Sequence, residues 1–386
     1  MPGASPAWPA GMQIVRSPVV HADKTVTFRL YAPDARQVVL DGNWEGGDAI
    51  KMTEDAHTGI WSATVGPLPE QLLGYDFSVD GVSALDPAQG ETQRDNQSYF
   101  SLVLIPRPHS AEWTFADVPH GTVEAIWYPS PALKEERRMM VYLPPGYETS
   151  TARYPVLYLL HGATEDEEAW INMGRANVIL DNLIAQRRIR PIIVVMTNGN
   201  ADQVVAQGRG YGPIPPPQAM PVLAPLPGRR PPTPFRMGAP PPQSCWQGSF
   251  SQSVLRDVIP FVERTFRVER SESDRAIAGL SAGGAETVVI SNHAPGEFGY
   301  VGAFSPGINL PGALLAQRLA AQKAAGIRYY WIGAGLQDIA HPYATKLATA
   351  VKRAGIPTTY REIPGRHDWF IWRDFLVHFL GVAFKR

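Results

Sequence analysis

Residues 275–286 constrain this chain more than any other stretch. Arg275-Ala276-Ile277-Ala278-Gly279-Leu280 reads as a buried strand and runs directly into Ser281-Ala282-Gly283-Gly284-Ala285-Glu286, which opens an alanine-containing helical pattern. A strand that becomes a helix across Gly279-Leu280-Ser281-Ala282-Gly283 must fold sharply, and only small side chains fit beside its serine. Such an elbow lifts the Ser281 hydroxyl above the end of a sheet. It also aims the amides of the following helical turn at whatever charge develops there. A bare Gly-x-Ser-x-Gly is common in glycine-rich loops; bracketed by a strand and a helix it is far more specific.

The rest of the chain agrees with an elbow of this type, but in two rhythms. Up to about residue 106 short alternating segments dominate: Val26, Phe28 and Leu30, then Gln37-Val38-Val39-Leu40, Ile60–Val65 and Tyr75–Val79. Asp41-Gly42, Thr58-Gly59 and Asp80-Gly81 read as turns between them, which predicts an antiparallel β-sandwich over 13–106. Residues 107–120 read as a linker, with Ile105-Pro106-Arg107-Pro108 at the boundary. From about Gly121 continuous apolar runs (Val156–Leu160, Pro191–Met196, Arg275–Leu280, Tyr329–Ile332) alternate with helical patterns. One such helix stops at Lys352-Arg353-Ala354-Gly355-Ile356-Pro357, basic residues then glycine then proline. This half, 121–386, predicts a mostly parallel sheet flanked by helices, the α/β class.

One segment fits neither rhythm. Between 198 and 247 the chain carries 13 prolines from Pro213 to Pro242, and proline excludes both helix and interior strand. Such an insertion is either a functional lid or a segment without fixed structure. As a lid, Tyr211, Met220, Phe235 and Trp246 would supply an apolar wall.

Bulk properties exclude other classes. Hydrophobic residues at 44% with charged residues at 18% fit a globular protein, and a net charge of −1 offers no global attraction to nucleic acid or anionic lipid. No apolar run approaches the roughly 20 residues of a membrane span. A single cysteine, Cys245, rules out an intrachain disulfide. The first residues show no signal peptide, which fits either a cytoplasmic protein or a mature form restarted at Met1. Oligomeric state is not legible.

A serine hydroxyl needs a base to take its proton and a carboxylate to orient that base. On this kind of sheet the chain order is serine, acid, histidine. Four histidines follow Ser281. His293 ends the elbow helix, His341 opens a helix and His378 falls inside the last one. His367, in Ile363-Pro364-Gly365-Arg366-His367-Asp368-Trp369, lies between the last strand and last helix, where the base belongs. Asp338 follows the strand beginning at Tyr329 and is the candidate acid, with N-capping of the next helix as its alternative role. Asp368 adjoins His367 and is the poorer choice. The backbone amides of Ala282 and Ala163 are the expected oxyanion donors, which leaves His161 a structural loop residue. Trp170, Trp246 and Trp369 are the aromatic candidates for substrate contact.

Glu165-Asp166-Glu167-Glu168 reads as the first turn of a helix, with Thr164 and Glu167 as a capping box, in preference to a metal site. No zinc-helix, phosphate-loop or dinucleotide motif is present, so no cofactor is expected.

With these residues identified, the chain resembles the esterase-D-like α/β-hydrolases, close to the feruloyl and acetylxylan esterases of carbohydrate esterase family 1. The resemblance is carried by Tyr154–Gly162, Asp257–Glu263, Gly279–Gly284 and Gly365–Trp369. The front half resembles the early-set sandwich similar to family 48 carbohydrate-binding modules, through Val82–Pro87 and Trp127–Ser130. Trp44 and Trp61 are its candidates for stacking on sugar rings, although Gly59-Ile60-Trp61 reads more like core. The resemblance implies a secreted or periplasmic serine esterase releasing hydroxycinnamic acid from plant polysaccharide. Acetylxylan, siderophore esters and aromatic polyesters are the alternative substrates. A glycan-binding protein that kept the fold without turnover is the alternative of another class.

Overall fold

The computed structural model describes residues 14–95, 98–106, 112–163, 165–200 and 249–386. The candidate lid residues Tyr211, Met220, Phe235 and Trp246 lie outside the described residues. The chain divides into two compact units, one running to Arg94 and resuming over Ser98–His109, the other taking the chain from Ser110 onward.

The first unit is a pair of antiparallel sheets, as the alternating pattern predicts. One holds β1 (Val19–Val20), β2 (Val26–Tyr31), β6 (Ile60–Val65) and β5 (Thr53–Asp55), in that order. The other runs β4 (Ile50–Lys51), β3 (Val38–Gly42), β7 (Leu72–Val79), β10 (Ser98–Leu104), β9 (Thr92–Asp95), with β8 (Val82–Ala84) paired to β7. Alternate residues of β2, β3 and β7 build the core between them, where the Phe28 and Tyr75 rings meet edge to face at 4.6 Å. Thr58-Gly59 and Asp80-Gly81 make turns. Asp41-Gly42 does not: both residues pair with β7, and the chain turns only after them.

Trp44 and Trp61 belong to this core, which corrects their reading as sugar-stacking residues. Trp44 stacks on Phe28 at 5.8 Å, and the Trp61 indole N–H donates to the Ala32 carbonyl at 3.0 Å. Both side chains are buried.

The second unit is built on an eight-stranded sheet. Its strands are β11 (Thr122–Ser130), β12 (Glu135–Leu143), β13 (Val156–Leu160), β14 (Ile193–Thr197), β15 (Arg275–Leu280), β16 (Tyr300–Phe304), β17 (Tyr329–Gly335) and β18 (Thr358–Ile363). They lie in the order β11-β12-β14-β13-β15-β16-β17-β18. β11, β12 and β14 pair antiparallel; from β14 through β13 to β18 every pairing is parallel. β13, β14 and β15 are buried along their whole length, which is why they read as unbroken apolar runs. The helices are α1 (Ala169–Asn172), α2 (Ala176–Ala185), α3 (Phe250–Ser253), α4 (Ile259–Thr265), α5 (Ser281–His293), α6 (Gly312–Ala324), α7 (His341–Arg353) and α8 (Trp369–Ala383). Among the described residues no helix is long and apolar enough to cross a membrane.

Residues 112–120, read from sequence as linker, pack on this unit. Trp113 is buried beneath the Arg373 guanidinium, 4.8 Å from its ring centroid, and Asn182 donates to the carbonyls of Glu112 and Thr114. Because β13 to β18 run parallel, their C-terminal ends share one edge, and loops leaving that edge converge. The elbow, the Asp338 loop and the His367 loop all leave it.

Candidate active site

β15 passes into α5 with no residue between, and Ser281 takes the turn at φ +51°. Left-handed backbone costs a non-glycine residue about 1–2 kcal/mol and persists only where the surroundings enforce it. Here they do. A Cβ on Gly283 would lie 2.3 Å from the His161 carbonyl oxygen, so the loop after β13 closes directly on the elbow. Gly283→Ala is expected to destabilise the protein by about 3 kcal/mol, read as a fall in melting temperature. An unchanged melting temperature would show that the two backbones are free to part.

The three residues singled out from sequence meet. His367 Nε2 lies 2.8 Å from Ser281 Oγ, and His367 Nδ1 lies 2.7 Å from Asp338 Oδ1. Asp338 is buried, its Oδ1 also accepts the Ala340 N–H at 2.7 Å, and its Oδ2 accepts the Ser305 hydroxyl at 2.5 Å. Burial alone would raise this carboxyl, but the donors from His367, Ser305 and Ala340 outweigh it and hold the group below its ordinary value. An ionised Asp338 accepts at Nδ1, so that nitrogen carries the imidazole proton and Nε2 presents its lone pair to Ser281. Asp338 thus bonds the base; it does not cap α7, whose N-cap is Ala340, although its Oδ1 takes the Ala340 amide just before that helix.

The other acids and histidines are spent elsewhere. Asp368 caps α8, accepting from the amides of Phe370 and Ile371. His341 pairs with Glu362, and His293 and His378 bond carbonyls one turn back in their helices. His161 is buried with its Nδ1 2.7 Å from the Gly162 carbonyl and its Nε2 accepting the Gly199 N–H at 2.8 Å. Burial pushes its basicity down, with the Gly162 carbonyl opposing, so it is a neutral tie between two loops.

The His161-Gly162-Ala163 loop overhangs the serine: a Cβ on Gly162 would lie 3.5 Å from that of Ser281. Glu165 shapes this loop by accepting the Gly162 N–H at 2.8 Å. The acidic run does other work than expected. Glu167 pairs with the buried Arg138 and accepts from Asn198, while Glu168 takes the other arm of Arg138. α1 starts after Glu168 with no side-chain cap, so Glu167 is not half of a capping box; Thr164 lies outside the described residues. Among the described residues no group of three or more His, Cys, Asp or Glu is placed to hold a metal.

The aromatic candidates for substrate contact need correction. Trp170 has no exposed surface and donates its indole N–H to the Leu160 carbonyl. Trp369 is buried edge-on between Trp170 at 5.1 Å and Trp372 at 5.4 Å. The three rings form a ladder whose end, Trp372, meets the His367 ring at 4.9 Å and 90°. Packed in this ladder, Trp170 and Trp369 offer little or no surface to a ligand, and Trp372 alone meets the base. Trp246 lies outside the described residues. Sequence reasoning missed Ser305 and Trp372 altogether.

A serine, a histidine and a buried aspartate linked in this order have the geometry that acyl transfer requires. Residues 130–213 and 216–329 match the profile of the Esterase family. The chain belongs to that family. Membership makes it a carboxylic ester hydrolase. Residues 14–93 of this esterase match carbohydrate-binding module 48, the isoamylase N-terminal domain. An endo-1,4-beta-xylanase/feruloyl esterase from Xylanibacter ruminicola is 28% identical over 382 residues, which is 95% of this chain and 46% of that relative. The esterase described here thus spans about half the length of the relative. Among solved structures, the enterobactin esterase of Shigella flexneri matches 93% of this chain and 92% of its own, at 18% identity and a TM-score of 0.63. A ferulic acid esterase from Anaeromyces mucronatus matches 72% and 95%, at 21% identity and a TM-score of 0.53. At such identities these structures establish a shared α/β-hydrolase fold.

Proposed function

We propose that this esterase cleaves hydroxycinnamoyl esters, ferulate first, from plant polysaccharide by a Ser281–His367–Asp338 mechanism. The observation that carries the mechanism is the unbroken hydrogen-bond line from Ser281 Oγ through both His367 nitrogens to Asp338. His367 Nε2 takes the Ser281 proton as Oγ attacks the ester carbonyl. The amides of Ala282, in the first turn of α5, and Ala163 hold the resulting oxyanion. His367 then returns the proton to the departing alcohol, and water, activated by the same imidazole, frees the acid and restores Ser281. No cofactor is required at any step.

The ferulate preference is supported by the relative from Xylanibacter ruminicola, whose name joins xylanase and feruloyl esterase activities. A polysaccharide substrate lies outside the cell, so the reading carries secretion or periplasmic export with it. A siderophore ester is the second reading, favoured by the Shigella flexneri structure, which matches across both units and was solved with enterobactin.

The test is kcat/KM on methyl ferulate, enterobactin, naphthyl acetate and a long-chain p-nitrophenyl ester. Methyl ferulate is expected to lead by about tenfold or more, the discrimination a shaped pocket supplies. A lead for enterobactin would move the substrate to siderophore esters, and a lead for the acetate to small acyl groups. Inactivity on all four, with no fluorophosphonate labelling of Ser281, would leave a glycan-binding protein without turnover.

A further inference from the structure

Ser305 is a serine where the backbone asks for glycine. It follows β16 at φ +47°, fully buried, with its N–H bonded to the Gly333 carbonyl at 2.7 Å. Glycine adopts this conformation without steric cost and serine does not. A side chain kept at such a position has work that glycine cannot do.

The hydrogen bonds say what that work is. Trp372 Nε1 lies 2.9 Å from Ser305 Oγ, and Ser305 Oγ lies 2.5 Å from Asp338 Oδ2. An indole N–H only donates, so Ser305 Oγ accepts there, and its single proton is left for Asp338. The other oxygen of Asp338 accepts the Ala340 amide and His367 Nδ1. The Trp372 indole, which cannot accept, therefore fixes the direction of the Ser305–Asp338 bond, and the ionised carboxylate, which can only accept, fixes that of the His367–Asp338 bond. Trp372 also holds the His367 ring edge-on at 4.9 Å, so one side chain orients the base and the residue behind its acid.

We propose that Ser305 and Trp372 are positioning residues for catalysis: Trp372 orients the Ser305 hydroxyl, which fixes the Asp338 carboxylate against His367. The inference rests on the Ser281–His367–Asp338 reading. It predicts a kinetic signature opposite to that of a structural turn residue. Ser305→Gly removes backbone strain together with the hydroxyl. A turn residue so replaced would leave the protein at least as stable and as active as before. A positioning residue so replaced is expected to lower kcat roughly 10- to 100-fold with KM within about twofold, since a charge-assisted hydrogen bond is lost only at the acid. Without the Ser305 donor the Asp338 carboxylate holds the imidazolium proton more firmly, so the acid limb of kcat/KM moves to higher pH.

The experiment measures kcat, KM and the pH profile on the best ester from the panel, for wild type, Ser305→Gly and Trp372→Phe. Trp372→Phe keeps a ring against His367 and removes only the indole donor, and it is expected to move kcat and the acid limb in the same direction by less. It also keeps the test decisive if Ser305→Gly fails to fold. Wild-type kcat and an unmoved acid limb in either folded variant would overturn the proposal. Fluorophosphonate titration of the same preparations separates the two levels. Stoichiometric labelling of wild type, absent in Ser281→Ala, upholds the serine mechanism whatever Ser305 does, whereas no labelling of wild type removes that mechanism and the inference with it.

Discussion

Replacing Ser281 by alanine is expected to abolish turnover, with kcat falling by about a millionfold, while the protein keeps its fold. The two halves of that result have separate causes. Among the described residues the Ser281 hydroxyl bonds His367 Nε2, and alanine removes that oxygen and nothing else. The backbone at φ +51° costs alanine and serine alike, so the strain is common to both proteins and cancels in their comparison. The enclosing contacts, β15 beneath and the His161–Ala163 loop above, involve main chain and glycine rather than the hydroxyl. Melting temperature should therefore change little. What activity remains would come from the oxyanion donors and from binding alone, which commonly leave a thousandfold or more over water. The measurement is single-turnover and steady-state kinetics beside thermal unfolding. A variant that folds and keeps a rate near wild type would remove Ser281 as nucleophile.

That this residue could be found from sequence is a matter of local geometry. The elbow needs small residues at fixed offsets within one short segment, so its signature is contiguous. Asp338 is placed by the recognisable strand before it and His367 by exclusion of the three histidines that fall in helical patterns; parallel strands then bring their C-terminal ends together. The helix stop at Gly355 is legible because its signal, basic residues then glycine then proline, is contiguous.

What could not be read depends on partners distant in the chain. Glu167 looks like a capping residue until Arg138 is placed beside it, and Trp170 looks like a binding residue until Leu160 and Trp369 surround it. Strand β18, Thr-Thr-Tyr-Arg-Glu-Ile, lacks the continuous apolar run of its buried neighbours because it lies at the sheet's edge. Ser305 carries no local mark beyond its place after a strand; its importance lies in a positive φ and in a tryptophan 67 residues away.

The second large effect is expected at the acid. Asp338→Asn should lower kcat by about ten-thousandfold, because the frame around the side chain leaves an amide no good orientation. With its NH2 toward Oδ1's partners, it would face the Ala340 N–H and a histidine forced to carry its proton on Nε2, the wrong tautomer for a base. With its NH2 toward Ser305, the hydroxyl oxygen would accept from both the amide and the Trp372 indole, and its own proton would lose the acceptor it now has. In both orientations the charge that stabilises the imidazolium is gone. The same substitution has a signature in stability. The Asp338 carboxyl is held below its ordinary value because its donors outweigh burial, so its ionised form stabilises the folded state. That contribution is complete above the unfolded carboxyl value, near pH 3.9, and is lost as pH falls through the lower folded value. Asparagine does not titrate. Urea unfolding of both proteins from pH 7 down to pH 3 should therefore show wild type losing stability more steeply over the last unit or so, narrowing the gap between them. Parallel curves with unequal kcat would mean that Asp338 serves the base without being held ionised by the groups around it, and would shift the account of its role from charge to orientation.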